Sequence, residues 1–266
     1  MTMPEAPATN TVRYEVSEQI AVITLNRPHR LNAVVPQLVE ELCAALSRAR
    51  VDQVGACVLT GAGRAFCSGH DLKEPAEAIT EDEDRRRLQR MQDVTRLIRQ
   101  APFPVIAAVH GYALGAGCEF ALCCDLVVAA SDAVFGFPEV GVGLGVTGGI
   151  SHLLPLAVGP AKAKELVLLG EHLAAAEAHR LHLVNRLTEP GEQLRCARDL
   201  ARTLAGRPRS ALARAKLALD MGPAISIEAA YEVEIANALA LHGGADAEHA
   251  AAVFRGANPT GPDPDE

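Results

Sequence analysis

Over its first half the chain alternates short apolar runs of strand length with stretches whose apolar residues recur at helical spacing. Beyond Gly148 only the helical spacing continues. Residues 12–16 and 20–25 are two β-type runs separated by Ser17, Glu18 and Gln19, a hairpin signal. A helix at 35–50 carries Val35, Leu38, Val39, Leu42 and Leu46 on one stripe, with Pro36 tolerated in its first turn. Residues 56–60 read as a third strand, followed by a glycine-punctuated loop from Gly61 to about Lys73. The charged segment 81–100 is helical, with Leu88, Met91, Val94, Leu97 and Ile98 as its apolar face. A buried-type strand at 105–109 leads through a small-residue turn at 111–117 into a helix ending near Cys124. Strands at 126–130 and 134–137 follow, then helices at 159–170, 174–181, 193–205, 210–220, 225–241 and 246–254. Strands first and helices last predict an α/β core with a helical C-terminal layer.

Composition narrows the function. With 49% hydrophobic and 22% charged residues, 266 residues can bury a substantial core in one large domain or two. The net charge of −8 excludes a protein-wide basic surface for nucleic acid or anionic lipid. Aromatics at 3%, with no Trp, argue against a base-stacking platform or an aromatic cation cage. Arg85, Arg86, Arg87, Arg90, Arg96 and Arg99 sit in the 81–100 helix among Glu81, Asp82, Glu83, Asp84 and Asp93, a solvated face rather than an RNA comb. The longest apolar runs fall far short of the ~20 residues a membrane span needs. The start, with Pro4, Glu5 and Pro7, lacks a signal-peptide layout, so residues 1–11 are expected to be a disordered lead. The seven cysteines are odd in number and contain no Cys-x-x-Cys, which fits a reducing cytoplasm. Cys67 and Cys118 are expected to be buried filler, because no base is placed beside either by sequence.

Two signals mislead. Gly143-Leu-Gly145-Val-Thr-Gly148 matches a dinucleotide fingerprint, but Phe137-Pro138-Glu139 precedes it where a hydrophobic strand is required. Ser68-Gly69-His70-Asp71 names triad residue types, but sequence neighbours cannot converge as a triad does. No cluster has metal-ligand spacing, and no metal is expected.

Three segments carry the chemistry. Residues 65–73 form a glycine-containing turn after a strand. In 105–119 a buried strand runs into a small-residue turn that opens a helix, with Glu119 in the helix's first turn. Residues 135–139 end in a second carboxylate, Glu139, after an apolar strand. A small-residue turn lets a ligand approach the backbone, and a helix start offers unpaired N–H groups and a positive dipole end. Those features suit a developing oxyanion. Spacing alone leaves a plainer account open, in which Gly115 and Gly117 only permit tight packing and Glu119 is a helix-start charge.

With Leu25-Asn26-Arg27-Pro28 and Leu31-Asn32-Ala33 near the start, the 68–73 and 115–119 turns, and Phe137-Pro138-Glu139, the chain resembles the enoyl-CoA hydratase/isomerase (crotonase) family from about Val12 to Arg207. The resemblance implies a spiral of ββα units over residues 12–207. It also implies a C-terminal helical oligomerisation region at 208–257 that builds a homotrimer or homohexamer, followed by a loose acidic tail at 258–266. An acyl-CoA thioester would be held by the backbone N–H groups of His70 and Ala116. Glu119 would take a proton from water attacking Cβ, and Glu139 would protonate Cα, adding water to a 2-enoyl-CoA. Arg27, His29, Arg30, Asp71, Leu72 and Lys73 are the expected contacts to substrate and coenzyme A, with no further cofactor. Two departures stand out: the Gly143–Gly149 turn is one residue shorter than in most hydratases, and 253–256 replaces a basic, aromatic tail. A Δ3-Δ2 enoyl-CoA isomerase, or an acyl-CoA-binding regulator without turnover, would share the same fold.

Overall fold

The computed structural model describes residues 10–73, 80–242 and 244. The lead up to residue 9, the helix expected at 246–254 and the tail at 258–266 lie outside the described residues. In chain order the strands are β1 (Val12–Ser17), β2 (Ile20–Leu25), β3 (Ala56–Gly61), β4 (Val105–Val109), β5 (Tyr112–Leu114), β6 (Leu126–Ala130), β7 (Val134–Gly136), β8 (Leu173–Ala174) and β9 (Arg186–Thr188). The α-helices are α1 (Pro36–Val51), α2 (Glu81–Arg99), α3 (Ala116–Leu122), α4 (Ile150–Val158), α5 (Pro160–Leu169), α6 (Ala175–Arg180), α7 (Gln193–Ala205), α8 (Arg209–Met221) and α9 (Ile227–Leu241).

β1 and β2 form the expected hairpin, Val12 facing Leu25, through a turn in which Glu18 and Gln19 both take positive φ. From β2 onward the main sheet is parallel, in the order β1-β2-β3-β4-β6-β9. β4 is buried along its whole length, as its unbroken Val-Ile-Ala-Ala-Val run requires of a strand covered on both faces. The strand period of two sorts side chains to opposite faces: Ile23, Cys57, Leu59 and Ala107 join the large core that also takes in α1, α2 and α3, whereas Val22, Val58, Ile106 and Val128 pack with Ala197 and Ala201 of α7.

A second, smaller sheet follows the first. β5 pairs with β7 in parallel, and β8 closes its edge antiparallel. Single parallel bridges, Cys67 to Ala113 and Val34 to His70, extend it toward the start of the chain. Each of β2, β3, β4 and β6 therefore crosses the main sheet and then contributes a short segment to the second, which is the winding of the crotonase spiral. The segments ending near His70, Leu114 and Gly136 come side by side.

α2 begins with a full capping box: the Thr80 hydroxyl accepts from the Glu83 N–H, and the Glu83 carboxylate accepts from the Thr80 N–H. Its arginines are partly spent within the fold, Arg90 on Glu40, Arg96 on Asp93 and Arg99 on Asp220. Of the short strands, β5 lies in a tract expected to be a turn, β8 at the start of an expected helix and β9 between two expected helices; two or three residues are too few to show a strand period. Pro155 lies inside α4. The hydrogen bond it forgoes would have gone to the carbonyl of Ser151, a solvent-exposed residue. The helix expected at 225–241 starts later, at Ile227, because Ser226 caps it by accepting from the Ala229 N–H.

Neither α8 nor α9 has a buried residue. α8 is held by Lys216, whose side chain is 8% exposed and whose Nζ pairs with Asp125 at 2.8 Å while donating to the carbonyls of Ile98 and Phe103.

The Leu31-Asn32-Ala33 segment has a structural reason. Asn32 is fully buried at positive φ; its Nδ2 donates to the carbonyls of Ala62 and Ala65 and its Oδ1 accepts from the Arg27 N–H. One amide thus ties the loop after β2 to the loop after β3. Asn32→Ala takes the side-chain partner from three backbone groups, one buried and two half-buried, and is expected to cost about 3 kcal/mol in urea unfolding, against under about 1 kcal/mol if the amide were ornamental.

Candidate active site

Three turns at one edge of the second sheet build the site. The first follows β3 and carries Ser68, Gly69 and His70. The Gly69 carbonyl accepts from the Val34 N–H, and the Asp71 N–H donates to the Val34 carbonyl. In a parallel bridge this arrangement directs His70's own backbone groups away from Val34, toward the β5 side. The second turn is Gly115, at φ +53°, a conformation open to glycine and costly for other residues. It starts α3, so the Ala116 N–H has no intrahelical acceptor. The third follows β7 and places Glu139 at the start of a single 3₁₀ turn.

A cleft of about 350 Å³ opens between these turns and α2. His70, Ala116, Glu139 and Thr147 line it with Leu72, Arg87 and Met91. Its walls are mostly apolar with a few convergent polar groups, the make-up of a small-molecule site. The first two turns nearly touch: a Cβ on Gly69 would lie 2.8 Å from the Leu114 carbonyl oxygen.

Glu139 is 7% exposed, and neither carboxylate oxygen has a partner among the described residues. Burial pushes its carboxyl up to about 7, and the nearby charge of Glu119 adds to the shift. Its Oε1 lies against Gly115, 3.2 Å from where a Cβ would stand. Such a group is poised to give or take a proton near neutrality.

Glu119 differs. It is 1% exposed and sits behind the cleft wall rather than in it. Thr147 engages both of its oxygens at 2.5 Å, the N–H donating to Oε1 and the hydroxyl to Oε2. Burial raises the Glu119 carboxyl above its ordinary value, and the two Thr147 bonds offset part of that. Thr147 is the residue that sequence reasoning passed over, being one position in a glycine-rich turn. The available signal was a lone hydroxyl in that turn, eight residues beyond Glu139.

The residues expected to meet coenzyme A divide into two groups. Arg27 and Arg30 converge on Asp71, with contacts of 3.1 Å from Arg27 and 2.9 Å from Arg30. Burial would raise the Asp71 carboxyl, but its bonds to Arg30 and Arg27 outweigh that and hold it below its usual value. Asp71 thereby fastens the loop after β2 to the turn carrying His70, and it occupies much of the two guanidinium groups. His29, Leu72 and Lys73 are exposed, with Leu72 on the cleft rim.

Cys67 and Cys118 are buried, and burial drives the Cys67 thiol up to about 12 and Cys118 well above its ordinary value, so neither is a nucleophile at neutral pH. No metal-binding group of His, Cys, Asp and Glu occurs among the described residues, and no described helix is long and apolar enough to cross a membrane.

A model of the enoyl-CoA hydratase/isomerase family matches residues 15–252. A short-chain-enoyl-CoA hydratase of Clostridium acetobutylicum is 37% identical over 227 residues, 85% of this chain and 87% of that protein. A crotonyl-CoA hydratase of Syntrophomonas wolfei is 36% identical over 222 residues, 83% of this chain and 85% of that one. A solved enoyl-CoA hydratase from Polaromonas sp. JS666 superposes with a TM-score of 0.88 at 31% identity, covering 92% of this chain and 96% of its own.

The raised carboxyl of Glu139 has a consequence for stability. Its folded value of about 7 lies above its ordinary 4.5, so between these values the folded state binds more protons than the unfolded state. Stability contributed by this group is therefore full below the lower value and lost as pH rises through the upper one. Glu139→Gln removes that loss. The unfolding free energy of the variant is expected to gain about 2 kcal/mol on wild type between pH 5 and pH 8, read from urea melts at the two pH values. A constant difference would contradict a buried, unpartnered carboxyl.

Proposed function

The chain belongs to the enoyl-CoA hydratase/isomerase family, and on that premise we propose that it adds water to 2-enoyl-CoA thioesters to give 3-hydroxyacyl-CoA. The observation that carries this reading is the retention of two carboxylates on adjoining turns, one in the cleft wall and one directly behind it. Hydration needs one proton taken from water and one delivered to Cα. A single carboxylate serves one of these tasks at a time.

In this reading the thioester oxygen lies between the N–H groups of His70 and Ala116. Each donor is worth about 3 kcal/mol to the developing enolate, and the positive end of α3 adds to it. Glu139, protonated near neutrality, delivers its proton to Cα. Glu119, ionised, receives the proton lost by water. Burial raises both carboxyls, and the two Thr147 donors pull Glu119 back in the direction this division requires. Coenzyme A would enter past Leu72 and Lys73, with Arg30 and His29 as the nearest cations for its phosphates. The reaction calls for no other cofactor. Seven unpaired cysteines suit a reducing compartment such as the cytoplasm.

Glu119→Gln and Glu139→Gln test the assignment in an assay following loss of the conjugated thioester's ultraviolet absorbance over a series of enoyl-CoA chain lengths. Each is expected to lower kcat by at least about 100-fold, with non-additive effects in the double variant. The placement of Glu139 alone in the cleft favours one alternative, a Δ3-Δ2 isomerase, which moves one proton between two carbons. Near-native turnover by Glu119→Gln beside a dead Glu139→Gln would establish that alternative. Binding of saturated acyl-CoA without turnover of any enoyl-CoA would instead leave a regulator.

We further propose that α8 and α9 form subunit contacts in a homotrimer or a pair of trimers. Leu217, Leu219, Ile227, Ile235 and Leu239 are exposed on two helices with no buried residue, and Leu219 is 78% exposed. Sedimentation velocity at micromolar concentration is expected to show the trimer or hexamer; a stable monomer would contradict it.

A further inference from the structure

Glu119 must exchange a proton with water in a cleft it does not line. Its residue is 1% exposed, and the cleft is lined at that point by Thr147. The Thr147 hydroxyl donates to Glu119 Oε2 at 2.5 Å while the Thr147 N–H holds Oε1 at the same distance. A hydroxyl that donates in one direction retains lone pairs to accept in the other. Thr147 thus touches both the cleft and the buried carboxylate.

We infer that Thr147 is a proton relay between the attacking water and Glu119. The inference rests on the hydratase reading and deepens it. As the water oxygen bonds to Cβ, the π pair of the double bond moves into the thioester enolate, held by the two N–H groups. The proton leaving water passes to Thr147 Oγ1, and the proton Thr147 already shares with Glu119 passes to Oε2. The threonine hydroxyl ends as it began, and Glu119 ends as a carboxylic acid. Glu139 gives its proton to Cα and ends as a carboxylate. Both protons and both electron pairs are accounted for, and exchange with solvent after product release returns the two glutamates to their starting states.

The second contact has a separate task. The Thr147 N–H fixes the orientation of the Glu119 carboxylate and persists in any side-chain variant. Removing the hydroxyl therefore tests relay apart from orientation. Thr147→Val keeps the side chain's shape and loses the hydroxyl; Thr147→Ser keeps the hydroxyl and loses a methyl group.

The experiment measures two reactions on each variant of the full chain. One is hydration of crotonyl-CoA. The other is exchange of a Cα proton of butyryl-CoA with heavy water, a half-reaction that uses Glu139 and the oxyanion donors and no attacking water. Thr147→Val is expected to lose at least about 100-fold in hydration kcat with KM within about twofold of wild type, while exchange stays within a few-fold. Thr147→Ser is expected to recover hydration to within about tenfold of wild type. Three outcomes overturn the relay: wild-type hydration by Thr147→Val, equal losses in hydration and exchange, or a Thr147→Ser as impaired as the valine variant. Wild-type protein that exchanges the Cα proton yet hydrates no enoyl-CoA would overturn the hydratase reading itself, and the relay with it.

Discussion

The site depends on backbone meeting backbone. The start of α3 lies so close to the segment after β3 that a Cβ on Gly117 would fall 2.2 Å from the Cys67 carbonyl oxygen, a contact no side chain survives. The bridge from Cys67 to Ala113 sets this approach, and it brings the His70 turn and the helix start carrying Ala116 to one place. Two backbone N–H groups can point into a common cleft only if the chain between them is this tightly packed. Buried Ala113, Ala116 and Cys118 keep the neighbouring side chains small. The glycines and alanines between 113 and 118 therefore permit the tight packing that one account of their spacing required, and the proposed oxyanion donors sit on that same packed segment.

Around this contact the fold fastens its loops with buried polar groups. Asn32 joins the loops after β2 and β3, and Asp71 draws Arg27 and Arg30 onto the His70 turn. Both fastenings lie on the family-like motifs near the start of the chain. The resemblance makes those motifs substrate-side loops, whereas the structure gives Asn32, Asp71 and much of Arg27 to holding the loops in register. The part left to a ligand is the exposed rim of His29, Leu72 and Lys73. On a protein of net charge −8, Lys73 on that rim is the local cation a phosphate-bearing substrate would meet.

Much of this was legible in the sequence because its signals are local. The hairpin, α1, α2 and the main-sheet strands β3, β4 and β6 follow from periodicity, and both glutamates stand out, one in the first turn of a helix after a small-residue turn and one after an apolar strand. What escaped was long-range or too short to have a period. Thr147 meets Glu119 across 28 residues of chain, and a lone hydroxyl in a Gly-Val-Thr-Gly run does not say that its partner lies on α3. β5, β8 and β9 exist because neighbouring strands offer them hydrogen bonds, a tertiary cause absent from their own residues. The polar clamp of Lys216 likewise joins α8 to groups about 90 to 120 residues away, so a helix with no buried residue still has a fixed seat.

In the proposed reaction Glu139 in the cleft wall and Glu119 behind it together put the elements of water onto a carbon–carbon double bond. Mass analysis of the product formed from crotonyl-CoA in water enriched in heavy oxygen tests it most directly. The account predicts a 3-hydroxyacyl-CoA carrying one heavy oxygen, located at Cβ. A product of unchanged mass with its double bond displaced, or no product from wild-type protein of correct fold, would contradict it.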